Sequence, residues 1–464
     1  MNQSLFPQQS PGFIFIAVSM ITCLILLINI SFKIVLLDGL IFAISSLICP
    51  LIATLYLFAL RNCTFKEQRH LLNICLITLY MFCIGVYVLV NLPAAEYMND
   101  NPVYQVIFED IPKKFFATTI AFALSFYLPH LLFCSKSNRV LSTPKQCVLL
   151  ALLGGISFFC LDFYLLFYTP HAHSFKQIFI DSLLIVSLLL LIIGVIYLTF
   201  LLNDKVLAQT SPFPGFNIQT TGYHHKTVSH CNDKRCQDKT IITNSEGSFF
   251  PIYQYLICFT VTVMLISLAC EYRLIAVSKD TILSASCIFF PITMIISSIV
   301  GELWGYHANL KLALALLAAQ FVFDILLIAT VALPSPPFFN LNPFYNFIMP
   351  RRLSAASLSL FVTFLSNAMM LHYLKRSKWQ INKPVRIAVA NIVANSLLCL
   401  VDYSLLYGGI YSYEQIINLA INVWQYKLLT TLISLPLIIW ACKALEKNYS
   451  LVMQPNSHIT LSSK

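Results

Sequence analysis

In the second half of this sequence a few ionisable side chains interrupt long apolar runs, and their types together could hold a polar ligand. Lys427 stands in Trp424-Gln425-Tyr426-Lys427-Leu428-Leu429 with Pro436 nine residues on, and Asp402 stands in Leu400-Val401-Asp402-Tyr403-Ser404. Glu302 closes an apolar run just ahead of Gly305, Arg351-Arg352 precede another run, and Asp324 falls inside a third. A carboxylate accepts paired donors and an ammonium or guanidinium supplies them, so such a set suits a heterocycle with both donor and acceptor edges. Three roles fit Lys427: a ligand contact, an ion pair with Asp402, or snorkelling to the membrane interface. Asp402 has a counterpart, Asp162, in the first half, which favours a ligand role, while Asp324 suits helix packing. Asn391, Asn395 and Gln425 are of the type that hydrogen-bonds between helices, and Gly301 with Gly305 forms a small-xxx-small pair. Trp424, Tyr403 and Tyr407 suit either ring stacking or interfacial anchoring.

The elements that position these residues are membrane helices. With 58% hydrophobic and 10% charged residues and a mean hydropathy of +0.78, the chain is far from a water-soluble composition. Its apolar blocks run to about twenty residues, the length that crosses a bilayer as helix. Spans are expected over 13–34, 39–60, 71–92, 115–134, 146–168, 177–202, 251–270, 281–301, 310–333, 354–374, 385–407 and 416–443. The fold class is all-α and polytopic, with the lipid bilayer as its solvent. Of the 29 Lys and Arg, 20 lie in loops after even-numbered spans or in the C-terminal tail, eight lie on the other side, and Lys427 lies within a span. The positive-inside rule then places both termini in the cytoplasm. The net charge of +10 is thus a topology signal and no argument for a nucleic-acid partner. Residues 1–12 carry no Lys or Arg, so they lack the basic start of a signal peptide, and Phe13 begins a retained span.

The text repeats at an offset near 240. Pro50 and Pro93 are 43 residues apart, as are Pro291 and Pro334. Asn101-Pro102-Val103-Tyr104 recurs as Asn342-Pro343-Phe344-Tyr345, Pro112-Lys113-Lys114 as Pro350-Arg351-Arg352, and Phe175-Lys176-Gln177-Ile178 as Tyr413-Glu414-Gln415-Ile416. The domain reading is a tail at 1–12, a six-span unit at 13–202, a polar cytoplasmic linker at 203–250, a second six-span unit at 251–447 and a tail at 448–464. Six is even, so the two units would insert as parallel repeats about an axis along the membrane normal, an arrangement found in transporters whose halves rock to give alternating access. The place of Lys427 is taken in the first unit by a Leu/Ser run near Ser187, which makes the units functionally unequal.

Other chemistry finds little support. The linker carries His224, His225, His230, Cys231 and Cys236, but their spacing fits no common zinc pattern, and the segment reads as solvated. The fifteen cysteines lie mostly in apolar runs and outline no disulfide framework. Walker A, His-Glu-x-x-His and Gly-x-Ser-x-Gly signatures are missing, so neither an enzyme nor a cofactor is expected.

On these residues the second half resembles the queuosine precursor transporter family, also called the vitamin uptake transporter (VUT) family. The family's second-span pattern, Phe-Pro-x6-Asp-x3-Glu/Arg-x2-Gly, stands here as Phe290-Pro291, Ser298, Glu302 and Gly305. Arg352-Leu353-Ser354-Ala355-Ala356-Ser357 matches its Arg with a small-residue run, Asp402 its fifth-span Asp, and Lys427 with Pro436 its sixth-span Lys and Pro. The resemblance covers 253–447 and, more weakly, 13–202. Ser298 and Asn367 depart from acidic positions of the family, and Leu57, Arg61 and Thr64 replace Asp, Glu and Gly in the first copy. A tandem arrangement is itself unusual for the family. The resemblance implies import of a 7-deazaguanine queuosine precursor (preQ0 or preQ1) across a bacterial inner membrane, with Asp402 or Glu302 taking its donor edge, Lys427 or Arg352 its carbonyl, and an aromatic such as Trp424 or Tyr403 its ring. The alternative is a non-transporting scaffold or a paralogue that has lost the substrate. No coupling ion or energising partner is specified.

The topology is checked by fusing a reporter that works only in the cytoplasm. Activity is expected after Lys464 and within 203–250, and none in the loop joining spans 1 and 2; the reverse pattern would invert the assignment.

Overall fold

The computed structural model describes residues 12–93, 111–133, 144–167, 175–210, 250–271, 273–277, 281–335, 342–377, 381–409 and 412–453. Helices of the first half are α1 (Phe13–Ile30), α2 (Ser45–Asn62), α3 (Phe65–Val90), α4 (Ile111–Phe122), α5 (Leu128–Phe133), α6 (Pro144–Phe167) and α7 (Phe175–Thr210). Those of the second are α8 (Phe250–Ala269), α9 (Ser286–Leu303), α10 (Tyr306–Ala332), α11 (Asn342–Arg376), α12 (Lys383–Tyr407) and α13 (Tyr413–Met453). A π-helical turn over Ala123–Tyr127 joins α4 and α5 into one span, and twelve spans long and apolar enough to cross a membrane result among the described residues. The protein is a multi-pass helical membrane protein, as its composition requires. The N-terminal tail to residue 11, the Asn101-Pro102-Val103-Tyr104 segment, the linker histidines and cysteines, and the tail from 454 lie outside the described residues.

Two small hairpins join the helices where an all-helical chain was expected. Strands β1 (Ile34–Leu37) and β2 (Leu40–Ala43) pair between α1 and α2, and β3 (Leu274–Ala276) and β4 (Ile282–Ser284) pair between α8 and α9. The first turn is Asp38-Gly39 with both φ positive, 47° and 88°, which matches the twist of a two-residue hairpin. Strands of three or four residues, apolar like the spans beside them, are too short for alternation to show in sequence. The free edge of β2 is sealed by α7: the Ile41 N–H donates to Asp181 Oδ2 at 3.1 Å and the Ala43 N–H to Ser182 Oγ at 2.9 Å.

Each hairpin reaches into the other half. Lys33, at the root of the first, donates through Nζ to the Val331 and Leu333 carbonyls at 2.7 and 3.1 Å, at the C-terminal end of α10. Arg273, at the root of the second, donates through Nη2 to the Val90 and Leu92 carbonyls at the end of α3. Backbone bonds repeat the exchange, Leu36 N–H to Pro334 O at 3.0 Å and Ala276 N–H to Pro93 O at 3.1 Å. The last carbonyls of a helix have no partner within it and carry partial negative charge, so a cation from elsewhere is the natural cap. Beneath these clamps α1 packs on α8 and α10, and α3 packs on α8, so one continuous apolar core spans both halves. Thr262 on α8 donates to Thr78 on α3 within that interface.

The turns after the second span of each half are built differently. Thr64 caps α3 in a reciprocal capping box with Glu67. Gly305, at the corresponding N-cap of α10, has φ +83°, a conformation that disfavours any residue with a Cβ. The small-xxx-small reading therefore applies to Gly301 alone, where an added Cβ would fall 2.5 Å from Leu371 Cδ2 of α11.

Replacing Lys33 with Met removes a buried charged donor from two carbonyls and is expected to destabilise the protein by about 1.5–3 kcal/mol. A lowered thermal midpoint in detergent, with an Arg273→Met change giving a comparable loss, would measure it.

Candidate functional site

One face of α12 carries a line of polar residues. Asn391, Asn395 and Asp402 follow at i, i+4 and i+11, a spacing that stacks side chains along one side of a helix. Asn391 Oδ1 accepts from Ser298 Oγ of α9 at 3.0 Å and from Asn367 Nδ2 of α11 at 2.7 Å. Ser297 Oγ donates to Asn309 Oδ1 of α10 at 2.8 Å, and Asn395 Nδ2 donates to Thr431 Oγ1 of α13 at 3.3 Å. Ser298 and Asn367, the two departures from acidic family positions, thus meet on the same asparagine. Gln425, expected to bond between helices, is exposed and makes no such bond among the described residues.

Above this network lies the cluster that holds Asp402 and Lys427. Ser359 Oγ of α11 donates to Asp402 Oδ1 at 2.9 Å. Lys427 on α13 is 4% exposed, which rules out snorkelling to water. It makes no ion pair among the described residues and instead sits with Nζ 4.8 Å from the centre of the Phe290 ring on α9. Tyr403, 2% exposed, stacks against Tyr407 with ring centres 5.7 Å apart.

Glu271 completes the cluster, and the sequence reading missed it. It follows α8 directly, and its carbonyl accepts from Ser284 Oγ of β4 at 2.8 Å and from Tyr407 Oη at 3.4 Å. Its side chain is buried, its Oε2 meets no hydrogen-bond partner among the described residues, and it lies within electrostatic reach of Asp402, Arg352, Asp324 and Lys427. Burial first, then the Asp402 carboxylate, pushes its carboxyl well above the ordinary range, against the pull of Arg352 and Lys427. In sequence Glu271 sits beside Arg273 at the edge of an apolar run and looks like an ordinary loop charge. The one signal was that Ser31 stands at its place in the first half.

The remaining expected site residues are committed elsewhere. Arg352 binds Asp324 through Nε at 3.1 Å and through Nη2, donates Nη1 to the Leu268 carbonyl at 3.2 Å, and lies over the Phe323 ring. Gln320 Nε2 donates to the other Asp324 oxygen at 2.7 Å. This pair ties α8, α10 and α11 together beside the cluster. Glu302 is engaged by Arg386, with Nε to Oε1 at 2.7 Å and Nη2 to Oε2, and Lys375 Nζ donates to its carbonyl at 3.0 Å. Arg386 and Asp402 are separated by about 24 Å of helical rise along α12, so the structure does not bring Glu302 to Asp402. Trp424 lies one turn before Lys427 and donates Nε1–H to Ser396 Oγ of α12 at 2.9 Å. The Arg351 side chain lies outside the described residues.

The first half echoes part of this arrangement. Thr118 Oγ1 donates to Asp162 Oδ1 at 2.8 Å, about 240 residues before Ser359 and Asp402, and Asp162 is fully buried. No lysine joins it from the last span, where Ser187 is exposed.

Among known proteins, residues 284–441 match the family described as Putative vitamin uptake transporter. No curated protein and no solved structure matches the chain. The matched stretch runs from the last residue of β4 into α13, and so takes in every cluster residue except Glu271.

Breaking the Arg352–Asp324 pair distinguishes a scaffold role from a ligand role. Arg352→Leu leaves a buried carboxylate unpaired and should cost about 3–5 kcal/mol. An Arg352→Met/Asp324→Leu double variant is expected to recover most of that loss in thermal unfolding.

Proposed function

We propose that this protein, whose residues 284–441 belong to the vitamin uptake transporter family, imports a small polar heterocycle that binds between Asp402 and Lys427. The carrying observation is that four helices converge on buried Lys427 and half-buried Asp402, two opposite charges that form no ion pair with each other among the described residues. Removing a charge from water without a partner costs free energy, and such intramembrane groups usually face a substrate or an ion. A 7-deazaguanine such as preQ0 or preQ1 has the matching edges: paired N–H donors for Asp402 and a carbonyl acceptor for Lys427. The Phe290 ring lies beside Lys427, the Tyr403 ring next to Asp402 in sequence stacks on Tyr407, and Arg352 braces the neighbouring helices through Asp324.

The geometry favours Asp402 over Glu302 as the carboxylate, because Arg386 already occupies both oxygens of Glu302. We place the protein in a bacterial inner membrane with both termini cytoplasmic and read it as two parallel six-span units, a reading supported by the exchanged clamps and by the matched Thr118–Asp162 and Ser359–Asp402 bonds. Rocking of the two halves would have to release both clamps, so movement within the second half is the simpler route to alternating access.

Cells blocked in queuosine-precursor synthesis and lacking their own importer provide the test. Expression of the wild type with low external preQ0 or preQ1 should restore queuosine in tRNA. Asp402→Asn and Lys427→Ala should each lower uptake by roughly tenfold or more, the worth of one charged hydrogen bond, at unchanged membrane expression. No restoration by a well-expressed wild type would refute transport of these compounds, and unaltered uptake by both variants would displace the site.

A further inference from the structure

The binding cluster holds more carboxyl groups than cations. Arg352 and Asp324 neutralise each other in a buried pair, which leaves Lys427 facing two carboxylates, Asp402 and Glu271. Among the described residues Asp402 receives one hydrogen bond, from Ser359, and the buried Oε2 of Glu271 receives none. Glu271 is also fixed in place: Ser284 and Tyr407 hold its carbonyl, and Arg273, two residues on, is anchored across the molecule to the end of α3. A neutral donor–acceptor heterocycle satisfies Asp402 and Lys427 and leaves the second carboxylate without a partner. A ligand that also carries an ammonium group satisfies all three, its charge replacing the proton that burial otherwise holds on Glu271.

Building on the transport reading above, we infer that Glu271 and Asp402 form a two-carboxylate subsite that selects a heterocycle bearing a protonated amine over its neutral counterpart. Lys427 and Asp402 read the ring edge, and Glu271 receives the amine arm. The raised affinity of Glu271 for a proton in the empty site fits this role, since a cationic arm would take that proton's place. Glu271 lies outside the stretch matched by the family, at the end of α8, where its carbonyl meets Tyr407 of α12.

The two queuosine precursors are suitable probes, because preQ1 carries an aminomethyl group and preQ0 a neutral nitrile at the same ring position. The full-length protein in cells would be tested for uptake of each compound separately and in competition. The wild type is expected to favour preQ1 by roughly tenfold or more, the effect of one charge-assisted contact. Glu271→Gln should bring the ratio to within about twofold of unity, and Glu271→Asp, which keeps the charge, should retain a clear preference for the amine. Equal handling of the two compounds by the wild type overturns the subsite while leaving transport itself intact. A Glu271→Gln protein that is expressed and keeps the full preference also overturns it. Uptake of neither compound would instead remove the transport reading on which the inference stands.

Discussion

A charge held away from water must be balanced locally, and this constraint organises the whole second half. Arg352 is spent on Asp324 and the Leu268 carbonyl, Glu302 on Arg386, and Arg273 on the carbonyls ending α3. These pairings act as cross-braces. Each joins helices that are distant in sequence, and each satisfies groups that hydrocarbon could not. Against that background Lys427, Asp402 and Glu271 stand out, because three ionisable groups share one neighbourhood and their charges do not cancel in pairs.

The hairpins explain how the cluster is held at a defined place. A helix ending in apolar surroundings leaves its last carbonyls bare, and here each half caps an exposed helix end of the other, Lys33 on α10 and Arg273 on α3. The same short segment that carries Arg273 across the interface also fixes Glu271 under Tyr407. Fold and site are therefore coupled through two residues separated by a single position. The turns after α2 and α9 are made by different means, a side-chain cap at Thr64 in one and a left-handed glycine at Gly305 in the other.

The halves are unequal in chemistry as well. Asp162 keeps its threonine donor but faces no lysine, and Ser31 stands where Glu271 would be. Within the second half, Ser298, Asn367 and Asn391 form a neutral hydrogen-bonded network where the resemblance leads one to expect carboxylates. Neutral amides satisfy each other without desolvating a charge, so this layer suits helix packing, and the ionic character of the interior is concentrated around Asp402.

Apolar runs of span length, the segregation of Lys and Arg, and the rarity of charge inside spans are properties of composition and order, and they were legible in the sequence. From them came the twelve helices, the membrane setting, and the choice of Asp402 and Lys427 as residues that need a reason to be where they are. Pairing was not legible. A membrane helix is apolar on most sides, so its periodicity does not disclose which face turns inward, and partners such as Glu302 with Arg386 or Arg352 with Asp324 sit on different helices. The short hairpins were hidden for a related reason, since strands of a few apolar residues look like the ends of spans. Glu271 looked like a loop charge until the fold carried it beneath α12. Helix rotation and the exchange of hairpins between halves, which depend on contacts across hundreds of residues, decided which charges would be paired and which would not.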